Sequence, residues 1–212
     1  MGRMPWLRDV AVILAGYAAG ASWFWLTLAG PRSTEVALGN RVLIAFLLPT
    51  TAAVLLWLFH AIEWRRPVCA REPEDCVATE RIIFRFIVFI GVLHGLVVLQ
   101  LTEAPWLRTW APLLVSVLVG TLLVSVGNLL PTTRPNVMVG IRTPRSLRSR
   151  PFWIAIHRVA GYVTVALGLV MIAAAVVLGY PLAGQVTFLA GLTAVGILVA
   201  RYLRLVRDFE RL

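Results

Sequence analysis

A polar segment lies between two apolar stretches in the second half of the chain, and its side chains could bind an anionic group. An arginine can hold a phosphate or carboxylate through two parallel hydrogen bonds, and a histidine can act as a general acid or base. The residues are Asn128, Asn136, Arg142, Thr143 and His157. Because neither a nucleophile nor a set of metal ligands accompanies them, the segment predicts anion binding and no particular reaction. The sequence has no H-E-x-x-H helix, G-x-S-x-G turn or P-loop, so we expect a protein that is not an enzyme and uses no cofactor.

A second set of polar residues falls inside the predicted membrane helices. His94 lies about 18 Å along the third apolar stretch, at 1.5 Å per residue. Thr50 and Thr51 follow the helix-bending Pro49 at a similar depth. Ser116 lies slightly nearer to the outside. Such a layer has two interpretations: it forms a substrate or proton site, or its hydroxyl groups hydrogen-bond to His94 in the bundle interior. No carboxylate lies deep in any stretch, which counts against an ion-coupled transporter.

The composition indicates the elements that position these residues. Of 212 residues, 59% are hydrophobic and 14% are charged, which leaves too little polar surface for a soluble domain. A membrane helix needs roughly 20 apolar residues, and the runs do not alternate as barrel strands do. The fold class is therefore predicted as all-α, a polytopic membrane bundle forming a single membrane domain over residues 1–212. The six predicted transmembrane helices are 10–30, 42–62, 82–102, 110–130, 159–180 and 183–202.

The basic residues predict the orientation of these helices, and all 20 of them are arginines. Seventeen lie in the N-terminus, the 63–85 segment, the 131–158 segment and the C-terminal tail, while the alternate loops hold three. Arginine accumulates on the cytoplasmic side of membranes, so both termini and the two long loops are predicted to be cytoplasmic, in a bacterial inner membrane. The charge of +10 is thus a topology signal, and we expect no direct nucleic-acid binding. Cys69 and Cys76 are expected to be reduced thiols without a metal.

Residues 127–158, which we call the hook, are predicted to be structured. Pro131 can end the fourth helix, where the Asn128 amide could cap free carbonyls. Gly140 permits a tight turn before Arg142. Ser149 is predicted to cap the next helix. A helix that starts here, with Pro151 in its first turn, would place Trp153 at the depth of the lipid headgroups.

In the first apolar stretch, the pair Gly16 and Gly20 predicts either close helix packing within the bundle or a dimer contact.

The order of residues in the hook resembles the signature of the SdpI family of multi-pass bacterial membrane proteins. That signature runs G-N-x-x-P, then P-N-x-x-x-G-I-R-T-P, then a tryptophan and an H-R pair leading into a glycine-containing helix. The similarity is specific over residues 115–180. The matching residues are Gly127, Asn128, Pro131, Pro135, Asn136, Gly140, Ile141, Arg142, Thr143, Pro144, Trp153, His157, Arg158 and Gly161.

The resemblance implies an immunity or signalling protein. Such a protein protects the cell from a secreted toxic peptide and holds a cytoplasmic transcriptional repressor at the membrane, with the lipid bilayer as its surroundings. Two alternatives stay open. The hook could bind an anionic group in a membrane transporter or a lipid-phosphate-handling protein, or its motif could be architectural and fasten the fourth helix to the fifth.

Overall fold

The computed structural model describes residues 6–29, 38–65, 77–100, 105–136 and 138–210, which are helical apart from the hook and a short turn. Cys69 and Cys76 lie outside this part of the chain. The helices are α1 (Trp6–Ala29), α2 (Leu38–Arg65), α3 (Val77–Gln100), α4 (Pro105–Leu129), α5 (Pro144–Arg148), α6 (Arg150–Leu178) and α7 (Leu182–Glu210). The predicted apolar stretches correspond to α1 to α4, α6 and α7, whereas a 3₁₀ turn at Leu130–Thr132 and the short α5 were not predicted.

The chain is a membrane protein by the length and apolar character of its helices. Large apolar side chains such as Trp57, Val177 and Phe188 are two-thirds exposed or more, as expected of groups that face lipid rather than water. Among the described residues, α1 is not one of the segments identified as able to cross a membrane, so the sixth span stays a prediction. The five segments that can cross a membrane are Val42–Ile62, Val77–Leu99, Thr109–Thr132, Arg150–Leu178 and Leu182–Phe209.

The chain forms two compact units, and the first comprises Met1–Arg65 with Phe86–Ala111. Within it, α1 packs closely on α2 through the predicted glycine pair. A Cβ on Gly20 would lie 2.0 Å from the Ala45 carbonyl oxygen, and one on Gly16 would lie 3.4 Å from the Pro49 ring. The pair therefore serves packing inside one chain, the first of its two predicted uses.

The second unit comprises Arg66–Arg85 with Pro112–Leu212, and glycine pairs bring α4 and α6 together in it. A Cβ on Gly127 would lie 2.9 Å from the Gly161 carbonyl oxygen, and one on Gly161 would lie 2.7 Å from the Gly127 oxygen. Gly120 and Gly168 repeat the arrangement one heptad away, at 2.8 and 2.6 Å. A real Cβ atom would clash at these distances, so the two helices can pack this closely only because glycine occupies the contact positions. Small residues allow membrane helices to associate in this way.

Two further contacts stabilise the second unit near the hook. Phe152, Ile156 and Leu205 form a buried apolar cluster between α6 and α7, and Ile141 packs against it. The guanidinium group of Arg85, on α3, donates a hydrogen bond to the Ser125 carbonyl oxygen of α4. This contact holds the Arg85 side chain against α4.

Candidate functional site

The hook begins where α4 ends, and threonine hydroxyl groups complete that end. As predicted, the α-helix ends next to Pro131, at Leu129, and Pro131 lies in the 3₁₀ turn Leu130–Thr132 that follows. The Thr132 hydroxyl donates to the Leu129 carbonyl oxygen at 2.7 Å, and the Thr133 hydroxyl donates to the Leu130 oxygen at 2.7 Å. Asn128, the predicted cap, is exposed. The carbonyl groups that the helix frees are thus satisfied by the side chains that follow it.

Asn136 organises the turn that follows. Its side-chain oxygen accepts hydrogen bonds from the backbone N–H groups of Met138 at 2.9 Å and Val139 at 2.8 Å. Its amide nitrogen donates to the Arg134 carbonyl oxygen at 2.7 Å. Because Asn136 is buried and both ends of its amide are engaged, it shapes the backbone of the hook and does not face a ligand.

Gly140, Ile141 and His157 join the hook to α6. The Ile141 N–H donates to Nε2 of His157 at 2.9 Å, and Nδ1 of the same ring hydrogen-bonds the Trp153 carbonyl oxygen at 2.9 Å. Since a carbonyl can only accept, Nδ1 carries the proton and Nε2 is the acceptor. Gly140 has φ +111°, and a Cβ there would lie 2.1 Å from Nε2. The turn predicted at Gly140 is therefore present, and only glycine fits beside this ring.

Trp153 fastens the start of α6 to the end of α4. Its indole N–H donates to the Thr133 carbonyl oxygen at 2.9 Å, and its ring stacks on His157 with centroids 3.8 Å apart. The side chain is 0% exposed. Trp153, which was predicted at the depth of the lipid headgroups, is thus buried within the protein with its one donor satisfied, and its ring does not face lipid.

A capping box and a second cap order the segment before α6. The Thr143 hydroxyl accepts from the Ser146 backbone N–H at 3.2 Å, and the Ser146 hydroxyl accepts from the Thr143 N–H at 2.9 Å. Pro144 occupies the first turn of α5, where its missing N–H is not needed. Ser149 then caps α6, as predicted, through the Phe152 N–H at 3.4 Å. Local side-chain bonds thus hold the starts of both α5 and α6.

The arginines of the hook occupy its surface. Arg142 follows Ile141 and Arg158 follows His157, so each stands next to one partner of the hydrogen bond that joins the hook to α6. The exposed arginines of this region are Arg142, Arg145, Arg148, Arg150 and Arg158. Guanidinium groups on a fixed backbone can recognise carboxylate or phosphate groups with little loss of conformational freedom. The predicted anion-binding set therefore divides in two: the side chains of Asn136, Thr143 and His157 bond within the protein, whereas Asn128 and Arg142 are exposed.

The two threonines of the predicted intramembrane layer do not hydrogen-bond to His94. The Thr50 hydroxyl hydrogen-bonds Tyr17 at 2.9 Å, and the Thr51 hydroxyl donates to the Leu47 carbonyl oxygen at 2.8 Å. Ser116 is half-buried on the part of α4 that belongs to the second unit. The interpretation that hydroxyl groups satisfy His94 is therefore wrong, since the hydroxyls of both threonines bond elsewhere.

Several residues that build the site were not predicted from the sequence. Ser146, fully buried, also donates to the Ile141 carbonyl oxygen at 2.7 Å, and Thr133 receives the indole of Trp153. The glycines Gly120 and Gly168 continue the α4–α6 contact. The seven-residue spacing from Gly120 to Gly127, repeated from Gly161 to Gly168, is the signal that could have revealed the helix pair.

The comparison with known proteins concerns the same region. Residues 132–201 match the model of the SdpI/YfhL protein family, whereas no curated protein and no solved structure matches the chain. The matched residues contain the hook beyond Pro131, all of α6 and most of α7. They include Asn136, Gly140, Arg142 and His157, whose contacts are described above. The predicted resemblance to the SdpI/YfhL family is thus confirmed over residues 132–201.

Proposed function

We propose that this chain is an integral membrane immunity and signalling protein of a bacterial inner membrane. It protects the cell from a secreted toxic peptide, and its hook holds a transcriptional repressor at the membrane. The arginine bias of the sequence supports a cytoplasmic position for the hook and both termini. The observation that carries the proposal is that the residues matching the SdpI/YfhL family form a rigid hook with arginines on its surface.

The burial of His157 and the exposure of Arg142 favour a binding function of the hook over a catalytic one. Both ring nitrogens of His157 are hydrogen-bonded inside the protein, and the ring is 0% exposed. A general acid or base must reach the proton that it transfers, and His157 is enclosed. Arg142, in contrast, is exposed between two residues whose backbones are fixed by hydrogen bonds. We therefore assign His157 to the structure of the hook and Arg142 to contact with an acidic surface of the partner.

A second candidate function is the binding of an anionic lipid. Five exposed arginines lie between residues 142 and 158, and each cytoplasmic arginine near an anionic membrane adds attraction for lipid headgroups. Native mass spectrometry of the purified protein distinguishes this function. A co-purified phospholipid or isoprenoid phosphate that is lost on Arg142→Ala supports lipid binding, whereas its absence favours a protein partner.

Deletion of the gene tests the immunity proposal. The deletion strain and its complemented parent are challenged with the peptide fraction of spent medium from the organism that encodes the chain. We expect the deletion to increase killing and the wild-type gene to restore survival. As a control, the fraction must kill unrelated indicator bacteria. If it does so while the deletion and parent strains survive equally, protection by this chain is contradicted.

The repressor is sought by crosslinking from the surface of the hook. A photoreactive amino acid at Leu147, which is 38% exposed, should capture a cytoplasmic DNA-binding protein in the membrane fraction. The matched control places the same group at Val177 on α6, which is 77% exposed and lies far along α6 from the hook. Capture of the same protein from both positions contradicts recognition by the hook.

A further inference from the structure

Three polar side chains on one face of α4 are exposed, although this helix can cross a membrane. They are Thr121, Asn128 and Thr132. At 3.6 residues per turn, all three lie about 100–140° around the helix from Gly127, in the same sense. The Thr132 hydroxyl donates to the Leu129 carbonyl oxygen, whereas the hydrogen bonds described for the hook run between residues other than Asn128. The Asn128 amide is thus available to a molecule outside the protein.

Asn128 faces a groove between α3 and α6. On one side of it around α4, Gly127 contacts Gly161 of α6. On the other side, about 160° from Gly127 in the same sense, the Ser125 carbonyl oxygen accepts the hydrogen bond from Arg85 of α3. Asn128 lies at about 100°, between these two contacts, so both neighbouring helices flank its side chain. We call this surface, which has Asn128 at its floor, the α4 groove.

Arg158 borders the α4 groove on the side of α6. The two glycine pairs progress in opposite directions along α4 and α6, so these helices are antiparallel. Arg158, three residues before Gly161, lies about 60° around α6 from that contact, in the same sense in which Asn128 lies from Gly127 on α4. In an antiparallel pair, equal senses of rotation place two residues on the same side of the contact. Arg158 and Asn128 are therefore neighbours, within about one helix turn in height.

Arg81 borders the groove on the side of α3, because it is exposed and lies one turn before Arg85 on that helix. Arg158 is exposed as well. The structure gives neither Arg81 nor Arg158 a carboxylate partner among the residues that it describes. The α4 groove is thus a cationic surface with an amide donor at its centre, and such a surface complements a phosphate group.

The α4 groove lies at the depth expected of lipid phosphates. On α6, Arg158 lies about 30 Å from Leu178, the end of the membrane segment, at 1.5 Å per residue. On α4, Asn128 lies about 28 Å from Thr109, where that membrane segment begins. Both lengths match the roughly 30 Å thickness of the hydrocarbon core, so the groove falls at the boundary of the core on the side of the hook.

An apolar strip of α6 leads from Arg158 into the hydrocarbon. Tyr162, Leu169 and Val176 lie within about 40° of Arg158 around the helix. Their side chains are 68%, 54% and 65% exposed. A cationic groove that continues into an exposed apolar strip fits a molecule with an anionic head and a hydrocarbon chain, whereas an acidic protein surface would fit the groove alone.

We propose that the α4 groove binds one anionic phospholipid of the leaflet on the side of the hook. Arg158 and the Asn128 amide hold its phosphate, Arg81 adds attraction for the negative charge, and an acyl chain lies along the apolar strip of α6. The site goes beyond the proposed immunity function and does not depend on it. It is also separate from the exposed Arg142, which we assign to contact with a partner.

Native mass spectrometry of the purified full chain tests the site by titration with phosphatidylglycerol. Phosphatidylcholine, which has a phosphate but no net charge, is the reference lipid. We expect the wild-type protein to bind one phosphatidylglycerol in preference to phosphatidylcholine. Arg158→Gln and Asn128→Ala change exposed side chains on two different helices, and each should raise the midpoint of the titration about tenfold, the effect of one lost hydrogen bond to a charged group. Equal binding of both lipids by the wild type indicates surrounding bilayer lipid only and overturns the proposal.

Arg150→Gln is the matched control, because it removes an exposed arginine from the same helix about 12 Å away from Arg158 and outside the groove. We expect its midpoint to equal that of the wild type. Midpoints that rise equally in Arg150→Gln and Arg158→Gln indicate diffuse attraction and overturn the site. A midpoint raised by Arg142→Ala but not by Arg158→Gln or Asn128→Ala assigns the lipid to the surface of the hook and also overturns it. Protection from the peptide is measured separately, so failure of this site and failure of the immunity proposal are distinguishable.

Discussion

Replacement of His157 by alanine should destabilise the protein by about 3 kcal/mol. Alanine leaves the Ile141 N–H facing the interior without its acceptor, which costs about 1–3 kcal/mol. It also removes the stack on Trp153, worth about 0.5–1.5 kcal/mol, and leaves a cavity at a position with 0% exposure. At about 2–4 °C per kcal/mol for a chain of this size, the melting temperature should fall by roughly 6–12 °C.

The matched variant is His157→Gln, which keeps an acceptor oxygen near the position of Nε2. It loses the stack but can still receive the Ile141 N–H, so we expect a decrease of only about 1 kcal/mol, or roughly 2–4 °C. The assay is the fraction of detergent-solubilised fluorescent fusion that stays monodisperse after heating. Equal decreases for alanine and glutamine, or a decrease below about 2 °C for alanine, refute the role of His157 as the acceptor that fastens the hook.

Other substitutions test the remaining contacts with the same melting assay. Gly140→Ala should cost about 3 kcal/mol or prevent accumulation, because φ is +111° and the new Cβ would lie 2.1 Å from the His157 ring; a wild-type melting temperature contradicts the geometry of this turn. Gly161→Ala, whose Cβ would lie 2.7 Å from the Gly127 oxygen, should destabilise strongly, whereas Gly191→Ala, which meets nothing within 4 Å, should not; equal effects argue against the glycine contact. Asn136→Ala should cost about 1–3 kcal/mol because it removes three hydrogen bonds, and an unchanged melting temperature is the opposing result.

Much of the fold follows from the sequence because local rules determine it. Apolar length alone predicts the helices, since a membrane helix must satisfy its backbone groups internally. Pro131, Gly140 and Ser149 act within a few residues of their positions, so the end of α4, the turn and the start of α6 could all be predicted. Ser149 and Pro151 also define a helix start that lies about nine residues before the apolar stretch itself begins at residue 159.

The partners of individual side chains could not be predicted, because they depend on contacts between residues distant in sequence. His157 is the type of residue that catalysis uses, yet its environment makes it an acceptor for the N–H of Ile141, sixteen residues away. Tryptophan is a residue type that often anchors helix ends at the membrane surface, but the indole N–H of Trp153 donates to the Thr133 carbonyl oxygen inside the protein. His94 lies within α3, but the hydroxyl groups of Thr50 and Thr51 bond to other groups and do not reach its ring.

The protection conferred by Arg142→Ala tests the central claim most directly. Because Arg142 is exposed and the hydrogen bonds described for Asn136, Ser146 and His157 run between other residues, the variant should fold and reach the membrane in wild-type amounts. Survival of the complemented deletion strain is measured against the toxic peptide fraction, at membrane protein levels matched by immunoblot. The account predicts that protection falls while the amount of protein in the membrane is unchanged. Wild-type protection by the variant contradicts a binding role for the surface of the hook.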